Sequence, residues 1–366
     1  MSEHRHIRSL GVEQPHRAFF AGYDEGPPGD GEVRLDTLYT GLSAGTELTF
    51  YKNTNVYLRS RWDAGRNVFV PHEPQQHFPV PFMGYMECGR VAESRAGGFE
   101  AGQVVGGAWG HKSGHTANPF HDVLTVLPPE IDPVLGIYVG QMGPIAANGI
   151  LHADAELLGP AVTTLGASLK DRPVLVIGAG VVGIFTALFA QRAGASEVVI
   201  ADPSPFRRMR CECLGMVAMD EEQAWQHAKS RWIHGGDDRG ADVVFQTRAD
   251  SHSLHRALKA LRPQGTVIDL AFYQGGADGA WLGEEFHHNG LSIRCAQINR
   301  VPRGLSFQWD KARLARETVA LLAEHGAEIK AQVITQVVPF DEGPQFLAHL
   351  VKDRPEFLQV VFKVRD

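Results

Sequence analysis

Cysteine is scarce. Cys88, Cys211, Cys213 and Cys295 are the only four in 366 residues. That is too few for a disulfide scaffold, and a chain this long does not need one. Positive charge is also short: 35 Lys and Arg stand against 42 Asp and Glu, for a net charge of −7. A nucleic-acid binder needs a basic stripe to neutralise phosphates, so no nucleic-acid partner is expected. Long apolar runs are few. The N-terminal MSEHRHIRSLGVEQ contains no apolar core of signal-peptide length. The uncharged run from Pro173 to Ala190 approaches membrane-spanning length, but Gly178, Gly180 and Gly183 interrupt it. It reads as a buried strand, a turn and a buried helix. Neither internal repeats nor low-complexity tracts occur. These absences together lead to the expectation of a cytoplasmic protein in a reducing compartment, with no membrane partner.

What is present fits a folded globular chain. Apolar residues make up 43% and charged residues 21%, an ordinary balance that excludes wholesale disorder. The length predicts two domains. Glycine is abundant, with 40 residues, which points to many tight turns or close backbone approaches.

The first half reads as β-rich. Glu32–Tyr39 alternates in part after the turn signal Pro27-Pro28-Gly29-Asp30-Gly31, Phe99–Gly107 reads as a turn entering a strand, and Asp122–Leu127 as a strand closed by Pro128-Pro129. Residues 53–81, rich in Pro, His, Arg and aromatics, read as a surface or binding loop. After about residue 150 short apolar strands (Val174–Ile177, Val198–Ala201, Ala241–Gln246, Gly265–Ala271) alternate with helical segments (Val182–Ala193, Pro205–Gly215, Ser251–Leu261). Such alternation predicts a parallel sheet covered by helices on both faces. A helix (Lys311–His325), a strand (Gln332–Val338), a helix (Gly343–Val351) and a strand (Leu358–Val364) follow.

The sharpest motif is Gly178-Ala179-Gly180-Val181-Val182-Gly183, directly after the strand VLVI and opening a helix. The first glycine permits the tight turn, the second lets the backbone approach a pyrophosphate, and the third lets helix and strand pack closely. The helix N-terminus then offers free N–H groups to phosphate. A second strand, VVIAD, ends in Asp202, about 20 residues past Gly183, where an acidic side chain takes ribose hydroxyls. A carboxylate there accepts from a 2′-hydroxyl and repels a 2′-phosphate, so NAD is expected in preference to NADP; Arg207 and Arg208 soften that preference. Cofactor contacts are expected from Gly178, Gly180, Val181, Val182, Gly183, Asp202 and Arg207, and from Thr247, Ala271 and Phe272 at later strand ends.

At this point the chain resembles the medium-chain dehydrogenase/reductase (alcohol dehydrogenase-like) superfamily over nearly its whole length. Gly41-Leu42-Ser43-Ala44-Gly45-Thr46-Glu47 is similar to the family's early G-x-C-G-T-D segment, and Gly84-Tyr85-Met86-Glu87-Cys88-Gly89-Arg90-Val91 to its G-H-E-x-x-G-x-V segment. Gly240-Ala241-Asp242-Val243-Val244 and Leu261-Arg262-Pro263-Gln264-Gly265 resemble later landmarks. The resemblance implies an α/β architecture: a GroES-like β-rich catalytic domain at 1–153, rejoined by 304–366, and a Rossmann doubly wound parallel sheet at 154–303. It also implies a cleft holding nicotinamide and substrate, and a homodimer through the Rossmann edge.

The departures carry as much information. Zinc-dependent members use a Cys in the first motif and a His in the second. Here those positions fall on Ser43 or Ala44 and on Tyr85, and neither Ser nor Tyr is a usual zinc ligand. The family's structural zinc lobe needs four closely spaced cysteines that this chain lacks. Cys211-Glu212-Cys213 has the wrong spacing and reads as helix packing. His111, His115 and His121, and the pair His287-His288, are the substitute metal candidates, but with 17 histidines some clustering is expected by composition; no metal is expected. Within the superfamily, Ser43-x-Gly45-Thr46-Glu47 with the zinc-free pattern resembles most the bacteriochlorophyllide hydroxyethyl dehydrogenase-like branch. That branch implies a secondary alcohol on a larger substrate.

Hydride transfer needs a group that stabilises the developing alkoxide or moves its proton. Tyr85 is the first candidate, with a neighbouring cation lowering its pKa. Ser43 and Thr46 are relay candidates, Glu47 holds Thr46 or an arginine, and His111 with Lys112 forms the alternative acid/base pair. The loop at 53–81, with Tyr57, Arg59, Arg61, Trp62, Arg66, His72 and His77, is expected to select a polar or anionic small-molecule substrate. The leading reading is a zinc-independent NAD-dependent alcohol dehydrogenase or ketone reductase. The alternatives are an NAD(P)H-dependent quinone or enone reductase, and a dinucleotide-binding protein without turnover.

Overall fold

The computed structural model describes residues 4–365. They fall into two compact units, the first running to Gly140 and resuming at Ile334, the second spanning Gln141–Val333.

The first unit is built on a seven-stranded sheet. Its order is Ile334–Pro339, Gln359–Lys363, Val33–Leu42, Glu87–Ser94, Val104–Gly107 and Thr125–Val126, with Gly114–Ala117 also pairing with Val33–Leu42. Val33–Leu42 is buried along most of its length, as a strand flanked by pairing partners must be. The chain's last strand pairs with it antiparallel, Val360 opposite Leu42 and Phe362 opposite Thr40. The C-terminal segment thereby closes one core, in which Leu10, Val12, Leu48, Phe340, Leu347 and Phe362 are buried together. Each such side chain contributes about 1.5–3 kcal/mol by leaving water. A second cluster gathers Val33, Leu35, Val91, Val105, Trp109 and Ala117.

The second unit is a six-stranded parallel sheet in the order Val217–Met219, Glu197–Ala201, Pro173–Ile177, Ala241–Gln246, Leu261–Asp269, Ser292–Cys295. Numbered along the chain, these strands run 3-2-1-4-5-6, the Rossmann order, which reverses direction beside Pro173–Ile177. Val174–Ile177 are buried, matching a strand covered on both faces. Ala224 and Ala228 of helix Glu221–Arg231 and Leu254, Ala257 and Leu258 of helix Ser251–Ala260 join the core against the sheet. Helices Met142–Leu158 and Lys311–Val333 also pack together in this unit, where a Cβ on Gly143 would overlap Thr318. With these two helices the compact unit runs from Gln141 to Val333, where the resemblance implies 154–303.

Several other elements differ from expectation. Residues 5–25 form a hairpin, Arg5–Gln14 paired with Arg17–Glu25. Only Thr125–Val126 of the 122–127 segment is a strand, because the preceding residues are drawn into a turn: Asp122 Oδ2 accepts from Asn118 N–H, and Asn118 Oδ1 from Phe120 N–H. Helix Lys311–Val333 runs past His325. Residues 53–81 are mostly exposed and contain a small hairpin, Ser60–Asp63 with Val68–Pro71. Trp62 and Tyr57 pack on Phe69 there, with ring centroids 5.1 and 5.7 Å apart. Arg61 pairs with Glu73 and Arg66 with Asp63, so neither presents an uncompensated charge to an anion. Among the described residues no helix is long and apolar enough to cross a membrane.

Candidate functional site

In the first unit the strand Val33–Leu42 passes through Ser43 directly into helix Ala44–Tyr51. Ser43 makes no side-chain cap. Instead Glu47, one turn on, accepts the Ser43 N–H at 2.9 Å, meeting one of the donors that a helix start leaves open. The other Glu47 oxygen lies 2.5 Å from His111 Nε2. His111 is fully buried, and its Nδ1 lies 2.5 Å from Thr40 Oγ1. Thr40 donates to Glu87 Oε1 at 3.0 Å, from a position opposite Glu87 in the sheet register. Glu87 Oε2 accepts from Trp109 N–H at 2.6 Å. Glu47, His111, Thr40 and Glu87 therefore form one buried chain.

The chain has two proton arrangements of equal net charge. In one, a charged His111 donates to both Glu47 and Thr40, and Thr40 donates to a Glu87 carboxylate. In the other, protonated Glu87 donates to Thr40 and Thr40 to neutral His111. Burial opposes the charge on His111, but the charge and hydrogen bond of Glu47 outweigh it and raise its pKa. Burial raises the Glu87 carboxyl, against the pull of His111. Both shifts keep protons in this chain.

On its outer side, the Tyr85 hydroxyl contacts Ser43 Oγ and lies 3.3 Å from Thr46 Oγ1. The structure thus brings Ser43, Thr46 and Tyr85 together, as read from sequence. Other parts of that reading change. Among the described residues no cation lowers the Tyr85 pKa: burial first, then the Glu47 charge, push it up to about 12. Tyr85 is a neutral donor across the ordinary pH range. Glu47 holds Ser43 N–H and His111 rather than Thr46 or an arginine. Lys112 is not paired with His111 as an acid/base couple, since its ammonium lies over the Phe82 ring, 4.5 Å from the centroid. Thr40 and Glu87 were not singled out from sequence.

The three histidines read as metal candidates do not converge. His111 is enclosed by Glu47 and Thr40, His115 stacks on Trp109 at 6.2 Å, and His121 is exposed. Burial and then Lys112 push His115 down to about 4. His287 and His288 pack edge to face at 5.7 Å. The donors around Tyr85 are hydroxyls. Cys88 and Cys211 are buried thiols and Cys213 is exposed, so only Cys211 of that pair serves helix packing.

In the second unit Pro173–Ile177 ends in Gly178, which has φ +103, and helix Val181–Arg192 starts three residues later. A Cβ on Gly178 would lie 2.6 Å from Thr247 Oγ1, and one on Gly183 would overlap the Gly178 carbonyl. Thr247 braces the turn by donating to the carbonyls of Ile177 and Gly178 at 2.9 and 3.0 Å. Gly180 caps the helix without a side chain, and its Cβ direction is open to 3.9 Å. Val181 and Val182 are half-buried at the helix start. The turn therefore presents free N–H groups beside open space, the arrangement that accepts a pyrophosphate.

Asp202 is buried. Its carboxylate accepts from Ala179 N–H and Ser204 N–H, each at 2.9 Å, which leaves a lone pair on each oxygen. Arg207 lies 3.8 Å from it, while Arg208 donates to the Asp202 carbonyl at 2.7 Å. Phe272 is exposed, and Ala271 N–H donates to Asp269 at 2.9 Å. Burial pushes Asp269 up to about 6, and this buried acid was not identified from sequence.

Residues 181–300 match a family model described as zinc-binding dehydrogenase. D-guloside 3-dehydrogenase of Escherichia coli (strain K12) is 23% identical over 367 residues, covering 96% of this chain and 97% of that protein. The solved alcohol dehydrogenase of Thermus sp. ATN1 superposes with a TM-score of 0.72 at 19% identity, covering 98% of this chain and 100% of that one. L-Idonate 5-dehydrogenase of Escherichia coli gives a TM-score of 0.72 at 16% identity, covering 99% and 100%. At these identities the solved structures establish the alcohol dehydrogenase-like α/β fold, a β-rich unit with a Rossmann unit. Residues 181–300 thus resemble the zinc-binding dehydrogenases, and the chain as a whole shares their alcohol dehydrogenase-like fold.

Proposed function

We propose that the protein is an NAD(H)-dependent oxidoreductase acting on a secondary alcohol or ketone of a polar, medium-to-large substrate, without zinc in its reaction centre. The observation that carries this reading is the Ser43–Tyr85–Thr46 hydroxyl group beside the Glu47–His111 pair. It occupies the positions where the resemblance would place Cys and His zinc ligands.

The donor chemistry does not fit that zinc. Hydroxyls of Ser, Thr and Tyr replace thiolate and imidazole, and both nitrogens of His111 are engaged by Glu47 and Thr40. No step is therefore assigned to a metal. The dinucleotide does fit: the glycine turn is open at Gly180, and Asp202 keeps acceptor capacity beside it. When bound, the nicotinamide supplies the hydride exchange. The phosphates would be held by the N–H groups from Gly180 to Gly183 and the ribose hydroxyls by Asp202, with Arg207 alongside.

Tyr85 donates to the substrate oxygen and, in reduction, gives it a proton. An alkoxide is basic enough to take a proton from a phenol held near 12. Ser43 donates in turn to Tyr85, and Thr46 fixes the phenol's direction. Glu47 is a positioning residue: its bond to Ser43 N–H sets where strand becomes helix, and His111 holds its carboxylate still. The sugar and sugar-acid relatives favour a glycoside or polyol hydroxyl as the reacting group.

The test pairs two titrations with a substrate panel. NADH and NADPH binding are followed by nicotinamide fluorescence, and polyols, glycosides, ketones and enones are then offered with each cofactor. Tight NADH binding with alcohol–ketone turnover supports the proposal. NADPH preference with enone reduction replaces it with a double-bond reductase, and dinucleotide binding with no reaction on a broad panel favours a non-catalytic role.

A further inference from the structure

A different group of donors converges in the second unit. His255 lies on helix Ser251–Ala260, and Glu284 and Glu285 lie at the start of the short turn Glu285–His288. His255 Nε2 is 3.6 Å from Glu284 Oε2 and 3.8 Å from Glu285 Oε2. One donor atom from each of the three residues lies within 4.8 Å of the others. The His255 side chain is 8% exposed, yet neither ring nitrogen has a hydrogen-bond partner, and Glu285 Oε2 is buried without one as well.

Nearby cations are occupied elsewhere. The Lys259 ammonium lies over the Trp225 ring at 5.4 Å, and Arg256 binds Glu221 and Glu222 at 3.3 and 3.4 Å. Burial lowers the His255 pKa; Glu285 and Glu284 work against this, and Lys259 and Arg256 with it.

We propose that His255, Glu284 and Glu285 bind one divalent cation of the Zn²⁺ or Co²⁺ class, with water completing the coordination. An imidazole ligand disfavours Ca²⁺ and Mg²⁺, and the absence of thiolate from the group disfavours Cu⁺. Ligand bonds of about 2.0–2.2 Å keep tetrahedral donors roughly 3.3–3.6 Å apart, close to the spacing found here. Two carboxylates and a neutral imidazole balance a 2+ ion. Such an ion would tie helix Ser251–Ala260 to the end of the segment that leaves strand Leu261–Asp269 and carries Ala271 and Phe272. This role is separate from the reaction assigned to Tyr85.

The protein is stripped with chelator and titrated with Co²⁺, following visible absorption and tryptophan fluorescence. Trp281, whose ring centroid is 5.0 Å from that of His255, reports on this site. Zn²⁺ competition and a thermal melt with Zn²⁺ follow. The expected result is one equivalent bound and a higher melting temperature with Zn²⁺. Affinity should fall at least tenfold in His255→Ala and in Glu284→Gln/Glu285→Gln, and stay unchanged in Tyr85→Phe. The double variant alters partly exposed side chains, 53% and 30% exposed, so it remains readable should His255→Ala fail to fold. Wild-type affinity in the double variant, or no Co²⁺ uptake by the wild-type protein at millimolar metal, overturns the proposal.

Discussion

His111 and Glu47 meet at 2.5 Å inside the first unit, with side chains 0% and 3% exposed. Water screens such a pair little, so the charge on Glu47 decides the protonation of His111. Removing one partner of a buried pair leaves the other unpaired, which costs about 3–5 kcal/mol. Glu47→Gln should therefore lower unfolding free energy by about 3 kcal/mol at pH 6, read from urea unfolding with circular dichroism. A change under about 1 kcal/mol would show that the pair does not support the fold.

The same pair sets a pH dependence. His111 has a folded pKa above its ordinary 6.5. Its stabilisation is complete below that value and is lost as pH rises through the folded pKa. Glu87, also raised, acts in the same direction from about 4.5 upward. Urea midpoints should fall from pH 6 to pH 9, with a shallower slope in Glu47→Gln. Equal slopes in the two proteins would remove His111 as the cause.

Tyr85 should show in turnover rather than in cofactor binding. Losing a donor to a developing alkoxide typically costs about 10²–10³ in kcat. Tyr85→Phe should lose that much while its NADH affinity stays within twofold. Because burial and Glu47 push the phenol up to about 12, the wild-type rate should show no fall from tyrosine ionisation below pH 10. A kcat profile over pH 6–10 in both proteins checks this.

The glycine turn makes a sharper prediction. A Cβ at Gly183 overlaps the Gly178 carbonyl, so Gly183→Ala should push helix Val181–Arg192 off its strand and abolish NADH binding. Asp202→Asn removes the charge that would accept from ribose, worth about 1.5–3 kcal/mol. Fluorescence titration should show NADH affinity weakened about tenfold or more, with NADPH affected less.

How much of this was legible depends on separation along the chain. The glycine turn and Asp202 lie within one βαβ stretch, so their spacing carried the reading. Ser43, Thr46 and Tyr85 were visible through the resemblance. His111 was visible too, but as the partner of Lys112 rather than of Glu47, from which it lies far along the chain; and only sheet pairing brings Thr40 opposite Glu87. In a strand pattern Glu87 reads as one more outward polar residue. Helix Met142–Leu158 was hidden by Gly143, Pro144 and Gly149, which lower helix propensity. Burial against helix Lys311–Val333 outweighs that cost. The first hairpin turns at His16, with φ +65, rather than at an Asn-Gly signal.

That helix pair is itself testable. Gly143 packs so closely on Thr318 that an added methyl forces a shift. Overpacking of this kind costs about 1–3 kcal/mol. Gly143→Ala should lower the melting temperature despite alanine's better helix propensity, and adding Thr318→Ser, which removes the obstructing methyl, should recover part of the loss.

The central claim is that hydroxyl groups at Ser43, Tyr85 and Thr46 do the work for which the zinc-dependent members use a metal. The direct measurement is NAD⁺ reduction by chelator-stripped, metal-assayed protein on a panel of glycosides and polyols, compared with the same protein given one equivalent of Zn²⁺. The account predicts the same kcat with and without Zn²⁺, and loss of turnover in Tyr85→Phe under both conditions. Turnover that appears only with Zn²⁺ and survives in Tyr85→Phe would contradict it.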